Sequence, residues 1–241
     1  MTMINKNILI TGAARRLGKA TALHCAKNGA DLILHYNTSE TEVLETQSKI
    51  IGIGRNCWVV QADLNDIDSI QQMIEQASSF SSLDALINNA SIFKPVGFFE
   101  STVADWEKHL RVNLTAPFIL TQLFARQYKK EETGRVINLV DWRALRPGKD
   151  HFPYTISKAG LVAFTKAAAL SLAPKILVNA IALGAILPPE NEPENPDILK
   201  NVPMQRWADI DDFLATIQFL LEGPNYITGE VIHLDGGRHL V

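Results

Sequence analysis

One stretch constrains the fold more than any other: GRVINLVDWRALRPGKDHFPYTISKAGLVAFTKAAAL, from Gly134 to Leu170. It reads as a buried strand over residues 136–140 that ends at Asp141. A loop holding Arg143, Pro147, Gly148 and Asp150 follows, and then a long apolar helix opens on Tyr154 and Lys158. Residues at i and i+4 share one helix face, so the phenol and the ammonium point into one pocket. A cation beside a phenol favours the phenolate and lowers a pKa that is ordinarily about 10. That makes Tyr154 a candidate proton donor near neutral pH.

The rest of the chain repeats this order of strand and helix. Strands are predicted over residues 7–11, 31–36, 57–61, 84–90, 177–182 and 230–235. The second is continuously apolar at its centre, as in a parallel sheet covered on both faces. Helices are predicted after the first strand as far as Asn28-Gly29, then over 39–51 and 67–79, through a long helical region up to residue 128, and over 210–221. The proline-rich segment 183–203 reads as a mobile loop over the substrate site. Alternating strands and helices build βαβ units, so the expected class is α/β, a single-domain doubly wound sheet spanning residues 1–241. At 46% hydrophobic residues the chain can fill one core, and a net charge of −3 gives no case for nucleic acid or an anionic membrane. Cys25 and Cys57 read as buried free thiols in a reducing compartment, and no apolar run approaches the ~20 residues of a membrane span. The N-terminus enters the first strand directly, unlike a signal peptide, so a cytoplasmic location is expected.

After the first strand comes Thr11-Gly12-x-x-x-Arg16-Leu17-Gly18. Gly12 allows a sharp turn, Gly18 allows helix and sheet to approach, and the helix N-terminus presents free N–H groups to a pyrophosphate. A site that prefers NAD carries an acidic residue about 20 positions further on. Here the second strand ends in His35, Tyr36 and Asn37, none of them acidic. Arg15, Arg16, Asn37 and Ser39 can surround a 2′-phosphate, which a carboxylate would repel. NADP(H) is therefore the expected cofactor, with Glu40 and Glu42 on the outer face of the next helix. The competing reading of Arg16 is a solvated side chain on the first helical turn.

Tyr154-x-x-x-Lys158, with a polar residue 13 positions before the Tyr, and the Gly12–Gly18 and Asn88-Asn89-Ala90 motifs resemble the short-chain dehydrogenase/reductase family. The likeness extends from Thr11 to Gly237 and implies a Rossmann-type sheet of seven parallel strands. Two departures are informative. Most members have Ser at Asp141, and the family pattern has Gly at Arg16. Asp141 with Arg16 resembles the pteridine reductase branch, which includes dihydrofolate and dihydromonapterin reductases. The resemblance implies that Asp63 and Leu64 contact adenine, where Asp63 could instead cap the helix beginning at Asn65. It implies that Asn89, Ala90 and Ser91 back the nicotinamide ribose, and that Gly184 and Ile186 complete the cofactor site. By resemblance Asn113 holds a water in a proton relay with Lys158; its alternative is a satisfied buried amide. Phe93 would stack on a pterin, with Ser91 and Arg16 contacting the same substrate, where the alternative is ordinary core. Small residues along the Tyr154 helix leave it apolar nearly all round, which with the resemblance implies a homotetramer or homodimer. The histidines show no metal-binding spacing, Asp105 and Asp150 read as solvated, and no metal is expected.

The Asp141 substitution carries a chemical consequence. When hydride reaches a ketone, negative charge develops on oxygen. A carboxylate ~4 Å away opposes it by roughly 4 kcal/mol at an effective dielectric near 20, on the order of a thousandfold in rate. The same anion favours a C=N bond whose nitrogen is protonated as hydride arrives. It also favours the neutral phenol of Tyr154, against the effect of Lys158. The other reading of Asp141 is a strand end facing solvent. The function expected from these residues is NADPH-dependent reduction of a pterin or folate C=N bond by Asp141, Tyr154, Lys158 and Asn113. The alternatives are a carbonyl reductase of the same fold and a dinucleotide-binding sensor without turnover.

Overall fold

A computed structural model describes residues 2–188 and 197–241. Seven parallel strands form one sheet in the order β3-β2-β1-β4-β5-β6-β7. They are β1 (Asn7–Ile10), β2 (Asp31–Tyr36), β3 (Cys57–Gln61), β4 (Ala85–Asn88), β5 (Gly134–Asp141), β6 (Ile176–Leu183) and β7 (Val231–Leu234). The doubly wound Rossmann-type arrangement expected from the sequence is the one observed, with the order reversing between β1 and β4. Ligands of such sheets bind outside the carboxyl ends of the strands at this switch point.

The strands are buried on both faces because alternate side chains serve two separate cores. Ile8, Ile10, Leu32, Leu34, Ile87 and Ile137 point to one side, where α1 (Arg16–Lys27), α2 (Glu40–Gly52) and Phe213 and Ile217 of the late helix Ile210–Glu222 pack. Leu9, Ile33, Leu86 and Val136 point to the other, against α3 (Ile67–Phe80) and the later helices. Each fully buried Leu or Ile contributes on the order of 1.5–3 kcal/mol by removal from water, so the register is fixed wherever these runs pair.

Four features differ from the sequence reading. The long helical region is α4 (Val103–Leu110) and α5 (Ala116–Gln127), joined through one π-helical turn, Arg111–Thr115. Asp105 is not merely solvated: it forms a reciprocal capping box with Thr102 and pairs with Lys94 at 2.6 Å. The N-cap of α3 is Asp66, whose side chain accepts from Asp68 N–H, and not Asp63. Residues 197–203 include a short helix, α7 (Asp197–Lys200), while residues 189–196 of the expected substrate loop lie outside the described residues. The helix with Tyr154 and Lys158 is α6 (Phe152–Leu172), and Ile210–Glu222 is α8. Among the described residues no helix is long and apolar enough to cross a membrane.

Candidate active site

The glycine turn follows from tight backbone packing. Gly12 adopts φ +65° and sits where a Cβ would lie 3.0 Å from the Cα of Ala90. A Cβ on Gly18 would collide with the Gly12 carbonyl and lie 2.7 Å from Asn89 Nδ2. The Asn89 side chain donates to the carbonyls of Thr11 (2.8 Å) and Gly12 (3.0 Å). Thr11 Oγ1 accepts from the N–H groups of Asn89 (2.9 Å) and Ala90 (3.0 Å). Thus Asn89 and Ala90 build the turn from beneath, a role the motif alone does not reveal.

His35 belongs to the same foundation. It was expected at the cofactor, yet it is buried, accepting from Gly12 N–H at Nδ1 (3.1 Å) while Nε2–H donates to the Ala62 carbonyl (3.1 Å). Burial pushes its pKa down to about 4, so it stays neutral in this tautomer. Ile186 and Leu64 also turn their side chains into the cores. Gly184 donates its N–H to Leu234, and a Cβ there would lie 2.6 Å from the Cα of Asp235.

The groups around the glycine turn fit a dinucleotide phosphate. Arg15, at the N-cap of α1, makes no side-chain cap, and the first turn holds no acidic residue, so the helix N-terminus is open to an anion. Leu17 tucks partly into the core beneath it. Arg16 adopts φ +49°, the left-handed conformation that explains glycine at this place in the family pattern. Its guanidinium donates to the carbonyls of Leu187 and Pro188 at 3.2 Å, which ties the turn to the start of the loop after β6. Arg15 lies 3.7 Å from Glu42, an exposed pair of small energy. Tyr36 is buried; Asn37 and Asp63 are exposed at the strand ends, and Ser39 stands at the N-cap of α2. Asp63 Oδ1 accepts from Asn65 N–H, which sets the bend after β3.

At the carboxyl end of β5 the residues of the opening stretch converge. Tyr154 Oη donates to Asp141 Oδ2 at 3.1 Å. Asp141 Oδ1 accepts from Arg143 N–H at 2.8 Å, and the Arg143 guanidinium is 3.7 Å from the same oxygen. Asp141 faces the phenol and not solvent, with its side chain only 14% exposed. Lys158 is buried, donates to the Leu139 carbonyl at 2.7 Å and lies 5.8 Å from the Tyr154 ring centroid.

These distances decide the competition over the phenol. Lys158 was expected to favour the phenolate; its ammonium donates to the Leu139 carbonyl and keeps its charge 5.8 Å from the Tyr154 ring centroid. Burial first, and the Asp141 charge second, push Tyr154 well above its ordinary value, so its proton stays on oxygen. Burial pushes Asp141 upward too, opposed by Arg143, Tyr154 and Lys158. The carboxylate is therefore a stronger base than a solvated aspartate and holds two donors. Burial lowers Lys158 to about 8, with Asp141 drawing it back up.

Asn113, in the π-helical turn, is fully buried and its side chain is saturated. Its oxygen accepts from Ile92 N–H (2.9 Å) and Ser91 Oγ (3.1 Å), and its nitrogen donates to the Ile92 carbonyl and Ser157 Oγ, both at 3.0 Å. It thereby pins the loop of Ser91 and Phe93 against α6. Any relay through Asn113 would use its main chain.

Phe93 is not core: it is 53% exposed, edge-on to Tyr154 at 4.6 Å and stacked on His151 at 4.0 Å. Asp150 is bonded and not simply solvated, accepting from Arg143 (3.1 Å) and His151 Nδ1 (2.9 Å). The guanidinium groups of Arg143 (4.8 Å) and Arg238 (4.2 Å) both lie over the Trp142 ring. The sequence reading missed these partners; the one signal it had was a Trp-Arg pair directly after Asp141.

Comparison with known proteins supports the same family and fold. The sequence pattern of the family described as short chain dehydrogenase matches residues 6–198. A 3-oxoacyl-[acyl-carrier-protein] reductase of Synechocystis sp. is 33% identical over 98% of both chains. The uncharacterized oxidoreductase YohF of Escherichia coli is 31% identical over 95% of this chain and 94% of its own. Among solved structures, FolM alternative dihydrofolate reductase 1 from Brucella canis, complexed with NADP, superposes with a TM-score of 0.91 at 36% identity, covering 100% of this chain and 97% of that one.

Proposed function

The chain belongs to the short-chain dehydrogenase family, and from that premise we propose that it is an NADP(H)-dependent reductase of a pterin, dihydropterin or dihydrofolate C=N bond. The observation that carries this reading is the buried hydrogen bond from Tyr154 to Asp141. The NADP and pterin parts also draw support from the Brucella FolM proteins crystallised with NADP.

The chain's own residues fit the cofactor. The open N-terminus of α1 and the Gly12–Gly18 cradle would hold the pyrophosphate, with Arg15, Asn37 and Ser39 near a 2′-phosphate. When bound, the nicotinamide supplies a hydride. Tyr154 keeps its proton poised on oxygen, and the Asp141 anion favours positive charge on a ring nitrogen next to the phenol. Asp141 then offers a basic carboxylate through which a proton can return to Tyr154. Lys158 supplies a positive charge behind the ring. Phe93, Ser91 and Arg16 would hold the substrate.

The second reading, a carbonyl reductase, has a specific support in the 33% identical 3-oxoacyl reductase. The charge at Asp141 weighs against it by the electrostatic argument above. Oxidation of NADPH followed by absorbance with dihydrobiopterin, dihydrofolate and an acetoacetyl thioester separates the two. Turnover of the pterin or folate alone supports the first reading; turnover of the thioester alone supports the second.

We also propose a cytoplasmic homotetramer, or homodimer, as the working form. The oligomer draws support from apolar residues left exposed on helices that pack on the sheet: Leu170 on α6 is 86% exposed and Phe118 on α5 is 44% exposed.

A further inference from the structure

We propose that His151 is a positioning residue that holds Phe93 as a ready-made stacking wall for a flat heteroaromatic substrate ring. The inference rests on the pterin reading of the site and adds to it a residue that no motif marks.

Phe93 sits in a loop, half exposed, and ring contacts are what fix its plane. The His151 imidazole lies parallel to it at 4.0 Å and 13°, covering one face. The Tyr154 ring meets its edge at 79°. His151 covers one face and the Arg143 guanidinium lies over the ring at 5.8 Å, yet 53% of Phe93 stays exposed, which leaves part of the ring open to a flat substrate. The Phe93 ring centre is 4.6 Å from that of Tyr154, so a flat ring laid on Phe93 lies next to the residue that carries the proton.

His151 is itself held in place from three directions. Its backbone is left-handed, φ +52° and ψ +46°, at the N-cap of α6. A non-glycine residue in this region is strained and persists only where its surroundings determine it. Its Nδ1–H donates to Asp150 at 2.9 Å, and its side chain is only 13% exposed. Asp150 in turn accepts from Arg143, which lies 3.7 Å from Asp141 and has its guanidinium 5.8 Å from the Phe93 ring centre. One chain of contacts, Asp141–Arg143–Asp150–His151–Phe93, thus ties the proton-handling carboxylate to the stacking wall. Stacked aromatic pairs contribute beyond their buried area, and a pre-ordered ring saves the cost of ordering it on binding.

The test is calorimetric binding of 2,4-diaminopteridine, a flat ring that carries no reducible dihydropterin bond, to the NADPH-loaded protein, alongside steady-state kinetics with dihydrobiopterin. His151→Asn keeps a residue tolerant of the left-handed backbone and able to bond Asp150, but removes the ring. It is expected to weaken pteridine binding about three- to tenfold, and to raise KM more than it lowers kcat. NADPH affinity is expected to stay unchanged, and His151→Phe to recover most of the pteridine affinity. Equal pteridine affinity in wild type and His151→Asn overturns the proposal even if dihydropterin is reduced. Parallel loss of NADPH and pteridine affinity overturns it as well, since that marks a general structural role. Absence of pteridine binding by the wild type also overturns it. Pteridine binding that depends on His151, without reduction of any dihydropterin, upholds the wall and sinks the pterin-reductase reading.

Discussion

Tyr154 Oη donates a hydrogen bond to Asp141 across 3.1 Å, inside a site where both side chains are largely removed from water. Burial first and the neighbouring Asp141 charge second keep the proton on the phenol, while Lys158 donates to the Leu139 carbonyl. The pair holds a neutral phenol and a basic carboxylate side by side, an arrangement suited to giving one proton away and taking one back.

Lys158 has a consequence for the pH profile. Its ammonium is destabilised by burial and titrates at about 8. At saturating NADPH, kcat/KM for the preferred substrate is expected to fall as pH rises through about 8, where the charge behind Tyr154 is lost. Lys158→Arg keeps the charge, since a guanidinium stays protonated at any working pH, and should move that alkaline limb upward. An unchanged limb in Lys158→Arg would assign it to another group.

His35 makes acid stability depend on the glycine turn. Its folded pKa of about 4 lies below the ordinary 6.5, so the unfolded chain binds the proton first. The stability it contributes is complete above pH 6.5 and is lost as pH falls through about 4. At 1.36 kcal/mol per pH unit this is on the order of 3 kcal/mol. Urea unfolding at pH 7 and pH 5 should show the loss, and His35→Ala should flatten the slope while lowering stability overall. Because His35 accepts from Gly12 N–H, NADPH affinity should weaken along the same acid limb.

Gly18 tests the cradle. A methyl group there meets the Gly12 carbonyl and Asn89 Nδ2. Gly18→Ala is expected to cost about 1–3 kcal/mol by overpacking and to weaken NADPH binding at least tenfold. Thermal unfolding and calorimetric titration read the two effects separately. Unaltered NADPH affinity in a destabilised Gly18→Ala protein would place the phosphates elsewhere.

The sheet was legible because its signal is redundant. Each strand is a compact apolar run closed by polar or glycine residues, and the observed bounds of β2 and β3 are those expected from their sequences. The π-helical turn at Asn113 was not legible, since one extra residue per turn leaves no mark on an apolar pattern. Asp63 and Asp66 are equivalent as caps by residue type, and only the chain's path chose Asp66. Within the site, Tyr154 and Lys158 were legible from their i, i+4 spacing, and Asp141 from the family resemblance. Their electrostatics were not, because the outcome turned first on how deeply the phenol is buried and then on the nearby Asp141 charge. His35 and His151 were hidden for a related reason. A histidine's role is set by what its two nitrogens and its ring face touch, and those partners are distant in sequence.

The most direct test of the central claim is the effect of Asp141→Ser on substrate preference. The measurement is the ratio of kcat/KM for dihydrobiopterin to kcat/KM for an acetoacetyl thioester, with NADPH affinity followed as a control. Removing the anion beside Tyr154 is expected to lower that ratio a hundredfold or more, while NADPH binds as before. A ratio that stays the same, with Asp141→Ser reducing the pterin as fast as the wild type, would contradict the assignment of Asp141 as the group that selects a ring nitrogen.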